Sequence, residues 1–239
     1  MMKLFIENIT KSYDGKEVLK GASMTFEQGK IYGLIGRNGA GKTTLFNCLS
    51  DEIKADKGKA LITDAHGRYA HLLDTNDIGY VFSTPVLPDF LTGYEFLKFY
   101  IDINRGSRSD IKSIDEYFDM VQMPKDDRFR LIKGYSHGMK SKIQMLCFII
   151  AKPPVILLDE PLTAFDVVAS LEMKRILKDM KRDHIIIFST HILQLATNLC
   201  DEIVILNDGK LSQIDSYMLR RKDFEERIIE LLKDGDEDA

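Results

Sequence analysis

The chain has 239 residues, 44 % apolar and 29 % charged, enough for a sizeable core beneath an ordinary solvated surface. Its 33 lysines and arginines against 37 aspartates and glutamates leave a formal net charge of −4, which argues against a general nucleic-acid binder, since those carry a strong basic excess. Cys48, Cys147 and Cys200 are far apart and form no CxxC pair, so they signal neither a zinc site nor a disulfide framework; buried thiols in a reducing compartment are expected.

The opening "MMKLFIENIT" alternates like a strand and lacks a cleavage pattern. "KLFIENIT" and "GASMTFE" flank a turn at Asp14-Gly15 that suits a tight hairpin. "IYGLI" at 31–35 is a compact apolar run, as a buried parallel strand is. A glycine-rich loop follows, then a helix from Lys42 with Leu45, Phe46 and Leu49 on one face. Further strands are predicted near 59–63 and 78–82. From residue 85 the strand-like runs stop and aromatics gather (Phe90, Tyr94, Phe96, Phe99, Tyr100), with helical spacing in "SIDEYFDMV". This reads as an inserted helical subdomain, about 85–150. It ends in a helix beginning near Gly138 with Met139, Ile143, Leu146 and Ile150 on one face. Strands at 155–159, 185–189 and 202–206 then alternate with helices at 170–181 and 192–199, the pattern of a parallel α/β core. Residues 218–233 read as an amphipathic helix with Phe224, Ile228, Leu231 and Leu232 on one side, and the acidic tail after it is expected to fray. The longest apolar run, "MLCFIIA" at 145–151, is too short to span a bilayer, so the chain is expected to be soluble and to meet a membrane only through a partner.

"GRNGAGKT" at 36–43 fits G-x-x-x-x-G-K-[ST] in full, between a predicted strand and a predicted helix. Gly36, Gly39 and Gly41 are expected to take backbone angles that side chains forbid, turning successive N–H groups inward as an anion nest. The dipole of the helix starting at Lys42 adds positive character. Lys42 is expected to reach the β- and γ-phosphates of a nucleotide and Thr43 to offer its hydroxyl to Mg²⁺. Asn38, Ala40 and Thr44 complete the phosphate-binding set. "VILLDE" supplies a carboxylate at the end of a buried strand: Asp159 to hold the magnesium, Glu160 to accept a proton from an attacking water. Taken alone, the same residues describe a strand that ends in two solvated acids; the loop upstream favours the functional reading.

With both halves present, the order of the remaining motifs resembles the nucleotide-binding subunit of an ATP-binding-cassette (ABC) protein over nearly all of residues 2–215. "YSHGMK" at 135–140 resembles the family's LSGGQ signature loop: Ser136 and Gly138 match its serine and second glycine, while His137 and Met139 depart from it. The resemblance implies that this loop caps ATP bound by the opposite subunit of a head-to-tail dimer; by itself Ser136 would be an ordinary helix N-cap. "PLTAFD" resembles the family's D-loop, with Asp166 as the aspartate that acts across the interface. His191, in "STH" after a strand, matches the switch histidine that contacts the γ-phosphate and orients the glutamate. Tyr13 resembles the aromatic residue on which adenine stacks. Ser83, in "IGYVFSTP", stands where the family has a glutamine; its hydroxyl is a candidate magnesium or water ligand, with altered coupling to the partner.

The implied fold class is α/β: a P-loop NTPase core with a parallel sheet, an N-terminal antiparallel β subdomain and an inserted helical subdomain, all within one nucleotide-binding domain over 1–239. A C-terminal helix and acidic tail occupy about 216–239. The implied activity is a Mg-dependent ATPase, with Glu160, His191 and Lys42 as catalytic residues and ATP and Mg²⁺ bound. The implied partners are an integral membrane permease and a second nucleotide-binding subunit, as homodimer or heterodimer, at the cytoplasmic face of the membrane. The "GMKSK" form and short chain resemble exporters of drugs, lantibiotics and amphipathic peptides, and Phe90, Leu91, Tyr94 and Phe96 are candidates for the docking surface, or equally helical core. The alternative is a soluble ABC-type ATPase of translation or DNA maintenance, for which the basic cluster Lys125, Arg128, Arg130 and Lys133 could touch a phosphate backbone, although four charges on a solvated helix or loop are ordinary. A non-hydrolysing regulator is argued against by Glu160 and His191.

Overall fold

The computed structural model describes residues 1–64, 66–106, 110–161, 167–214 and 224–233. β1 (Lys3–Tyr13) and β2 (Lys16–Glu27) form an antiparallel hairpin longer than the two short runs read from the sequence. Its turn residues Asp14 and Gly15 both have positive φ, 49° and 82°, the twist that matches a two-residue hairpin to its strands. β3 (Ile31–Ile35) is buried at every residue and leads through the glycine-rich loop into α1 (Lys42–Leu49). β4 (Lys57–Thr63) and β5 (Ala70–Leu72) return to the hairpin and complete an antiparallel sheet of order β2-β1-β4-β5.

β6 (Ile78–Val81) opens the other half of the molecule. The helical stretch after it contains α2 (Gly93–Asn104), α3 (Ile114–Met120), α4 (Lys125–Arg128) and α5 (His137–Ala151). α2 and α3 both begin in reciprocal capping boxes, Thr92 with Glu95 and Ser113 with Glu116, which satisfy their first free N–H groups. The α/β alternation then runs β7 (Val155–Asp159), α6 (Val167–Met180), β8 (Ile185–Thr190), α7 (Leu193–Leu199), β9 (Glu202–Asn207), β10 (Lys210–Ile214) and α8 (Phe224–Lys233). The second sheet has the order β10-β9-β3-β8-β7-β6, parallel except for β10. The fold is therefore α/β with a separate antiparallel sheet.

The central strands are buried on both faces, which is why they read as unbroken apolar runs. Alternate residues of β7 serve different cores. Val155 and Leu157 join Leu4, Phe26, Tyr32 and Phe46 toward the antiparallel sheet. Ile156 and Leu158 join Phe118, Ile143, Leu146 and Ile150 beneath the helices. α8 lays Phe224 and Ile228 on Ile35, Ile203 and Ile205, with Leu232 partly buried. Leu231 departs from the expected face and is 40 % exposed: the buried positions step by four, and Leu231 falls on the flank. The cysteines are free, and burial pushes the Cys48 thiol up to about 11 and the Cys147 thiol to about 12, so both stay protonated.

Of the basic cluster seen in the sequence, Lys125 and Lys133 are exposed, whereas Arg128 and Arg130 are held in ion pairs. Arg128 is buried and is bound by Asp115 at 2.6 Å, by Asp119 and by the Met123 carbonyl at 3.0 Å, with its guanidinium 5.2 Å from the Phe118 ring centroid. Arg130 pairs with Asp127 at 2.5 Å. Arg128 thus holds α3 and α4 together. Arg128→Ala removes these bonds and opens a gap beside Phe118; a loss of about 2 kcal/mol is expected, read as a melting temperature several degrees lower.

Candidate functional site

The loop between β3 and α1 is held open by glycine for two different reasons. Gly39 and Gly41 take φ of 81° and 101°, where a side chain is strained. Gly36 does not have positive φ, contrary to the sequence expectation; a Cβ there would lie 2.7 Å from the Leu206 carbonyl, so close approach to β9 requires the glycine. The Ala40 N–H closes a turn onto the Arg37 carbonyl at 3.1 Å. Lys42 is 8 % exposed, and its ammonium donates to the carbonyls of Gly36 at 2.7 Å and Arg37 at 3.1 Å. Desolvation draws its pKa below the ordinary lysine value, against the pull of Glu160 and Asp159.

β7 delivers Asp159 to the foot of this loop. The Thr43 hydroxyl donates to Asp159 Oδ2 at 2.8 Å, and the Ser189 hydroxyl donates to the other carboxylate oxygen. Asp159 and Ser189 face each other in the parallel β7–β8 register, and both are buried. The next residue, Glu160, has φ of +51°, uncommon for a side-chain-bearing residue and strained by order of 1–3 kcal/mol. Its N–H donates to the Ser189 hydroxyl at 3.1 Å and to the Ser189 carbonyl at 3.3 Å, which holds the strained turn. The Glu160 carboxylate then meets Nδ1 of His191 at 2.8 Å, so the proton of that hydrogen bond lies on Nδ1 when the carboxylate accepts. A continuous hydrogen-bonded path therefore runs Thr43, Asp159, Ser189, Glu160, His191.

A cleft of about 360 Å³ lies over this path. Tyr13, Val18, Asn38, Gly39, Gly41, Lys42, Thr43, Thr44, Ser83, Asp159 and Glu160 line it. Tyr13 stands at the mouth, 44 % exposed, with the Lys11 ammonium 5.6 Å from its ring centroid. Lys11 is itself tied to Asp56 at 3.1 Å and to the Lys54 carbonyl at 2.8 Å. For a hard cation, the donors present are oxygens: Thr43, Asp159 and Ser83 suit Mg²⁺. Among the described residues no cluster of three histidine, cysteine or carboxylate side chains could hold a metal ion.

Ser136 and Gly138 are not among the residues lining the cleft. Ser136 caps α5, its hydroxyl accepting from the Met139 N–H at 3.2 Å. Asp166 lies outside the described residues. Ser189, in "STH", carries no local signal of its role; only the parallel register of β7 and β8 sets it opposite Asp159.

Residues 19–163 match a family described as ABC transporter. The chain is 31 % identical over 216 residues to YhcH of Bacillus subtilis, an uncharacterized ABC transporter ATP-binding protein, covering 89 % of this chain and 70 % of that protein. It is 30 % identical over 209 residues to the lantibiotic transport ATP-binding protein SrtF of Streptococcus pyogenes, covering 87 % of this chain and 88 % of SrtF. Several curated relatives are longer: the chain spans 58 % of one and 66 % of another. A solved ATP-binding subunit of an ABC transporter superposes with a TM-score of 0.77 at 25 % identity, over 96 % of this chain and 99 % of that one.

Ser189→Ala frees both Asp159 and the Glu160 turn while leaving the glycine-rich loop intact. It is expected to lower nucleotide hydrolysis about tenfold or more and to change nucleotide affinity less than threefold, measured by phosphate release and by titration of a fluorescent nucleotide.

Proposed function

The chain belongs to the ABC transporter family as an ATP-binding subunit and an ATPase, and on that premise we propose that it powers a separate membrane permease exporting a peptide or drug-like amphipathic molecule. The observation that carries the chemical part is the hydrogen-bonded path from Thr43 to His191 beneath one cleft. The loop N–H groups and the α1 dipole hold the phosphates, and Lys42 exchanges its carbonyl partners for phosphate oxygens. Thr43 and Asp159, with Ser83 nearby, hold Mg²⁺, which when bound neutralises charge on the β- and γ-phosphates. Glu160 accepts the proton of the attacking water, and His191 fixes the direction of its carboxylate. Tyr13 offers its ring to the base.

The signature residues Ser136 and Gly138 stand at the head of α5 and do not line the cleft, which suits the role that the family resemblance gives them, with Asp166, toward the ATP of a second nucleotide-binding subunit. A homodimer and a heterodimer both satisfy this arrangement. Transport of a peptide is supported by the likeness to SrtF, a lantibiotic transport ATP-binding protein, and its direction, export, by the resemblance of the "GMKSK" form to exporters. An apolar surface on the helical stretch supports permease docking: Phe90 is 79 % exposed, and Tyr94 stacks on the exposed Phe129 at 5.0 Å. Tyr94 and Phe96 also pack against the core beneath the helices, the other role read for them, and Leu91 is half-buried. Among the described residues no helix is long and apolar enough to cross a membrane; in this reading the permease holds the subunit at the cytoplasmic face.

Glu160→Gln is expected to bind ATP, lose about a hundredfold or more in hydrolysis, and run as a dimer on size exclusion with ATP. Hydrolysis at the wild-type rate would remove Glu160 from the role of base. Affinity purification from detergent-solubilised native cells is expected to recover an integral membrane protein in comparable amounts. Recovery of ribosomal or DNA-bound partners in its place would overturn the transport reading and leave the ATPase standing.

A further inference from the structure

β6 presents a different neighbour on each face. Tyr80 and Phe82 turn toward α1: the Tyr80 hydroxyl donates to Asn47 Oδ1 at 3.1 Å, its ring meets Phe46 edge-on at 5.9 Å, and Phe82 lies against it at 4.1 Å. Gly79 and Val81 have the opposite parity and turn toward α5. A Cβ on Gly79 would lie 3.2 Å from Phe148 Cβ, and Val81 shares a core with Leu146 and Phe148. Pro153, just past the end of α5, also packs on Gly79, and the strand that follows, β7, pairs Val155 with Ile78 in parallel, so α5 ends at the start of β6 and runs opposite to it.

This fixes the level of Gln144. Stepping back one helical turn from Phe148 to Gln144 is a rise of about 6 Å. The step from Gly79 to Val81 is about 6.6 Å in the same direction. Helical side chains lean toward the helix N-terminus, which carries the Gln144 amide toward the end of β6 and Ser83. Gln144 is 7 % exposed, and its Oε1 is shielded with no hydrogen-bond partner among the described residues. A shielded carbonyl without a donor is destabilising, so it points to a donor that another arrangement of the site supplies. Ser83 follows β6 in a bend outside the ladder, two residues beyond Val81, and lines the cleft.

We propose that Gln144 is a positioning residue for ATP hydrolysis: its Oε1 accepts the Ser83 hydroxyl when the cleft closes on nucleotide, tying α5 and the Ser136 loop at its head to the cleft wall. This rests on the ATPase reading of the cleft. The wall of β6 that faces α1 is already fastened by Tyr80, whereas Ser83 lies beyond the ladder.

The test is a double-mutant cycle in the full chain with wild type, Ser83→Ala, Gln144→Leu and the double variant. Each single change is expected to lower kcat about three- to tenfold with KM for ATP within twofold, and the double variant to be no slower than the slower single. Gln144→Leu is expected to melt no lower than wild type, because an apolar group of similar size replaces an unpartnered polar one. Effects that multiply in the double variant, or a kcat loss that appears only with a lowered melting temperature, overturn the proposal. If wild type hydrolyses ATP and Glu160→Gln does not, such a result removes the role of Gln144 alone. A wild type without hydrolysis overturns the ATPase reading and this inference with it.

Discussion

The site depends on one buried carboxylate shared between two hydroxyls. Asp159 takes Thr43 from the phosphate-loop helix on one oxygen and Ser189 from the neighbouring strand on the other. A carboxylate this deeply placed is tolerated only when both oxygens are satisfied. The two hydroxyls do that, and in doing so they align α1, β7 and β8. The parallel register of the central sheet makes the arrangement possible, because it brings the C-terminal ends of β3, β7 and β8 out on the same edge. Open parallel sheets present their ligand sites at that edge.

Strain is placed one residue further along. Glu160 sits in the left-handed region, and the cost is offset by two hydrogen bonds to Ser189. The turn aims the carboxylate away from the strand axis, toward His191 and the cleft. Ser189 is therefore bound twice into the catalytic geometry without touching the cleft itself, and its hydroxyl has both its donor and an acceptor position engaged.

Much of this was legible before any coordinates. "IYGLI", "VILLD" and "IIIFS" read as buried strands because both faces are covered, and the glycine-rich loop follows from its spacing alone. The missed elements lacked such signals. β5 has three exposed residues and no alternation, and β10 pairs at the sheet edge with only Ile214 buried. Leu231 looked internal because a run of apolar residues does not reveal which of two flanks is covered. Gly36 looked like a backbone-angle requirement, whereas its constraint is a carbonyl from β9, more than 160 residues away in sequence. The Ser189 contacts are of the same kind: a tertiary register, not a local pattern. The buried Arg128 shows the converse, a charge that looked solvated and is anchored by two acids of a neighbouring helix.

The two carbonyls that hold Lys42 have a selective consequence. An entering molecule competes with the chain's own peptide oxygens for the same ammonium. A neutral acceptor merely trades one hydrogen bond for a similar one and gains little. An anionic oxygen forms a charge-assisted bond roughly twice as strong, and several such oxygens on adjacent groups add an electrostatic gain that no peptide carbonyl can match. The loop thus acts as its own low-affinity occupant, setting a threshold of charge that a ligand must exceed before the lysine turns toward it.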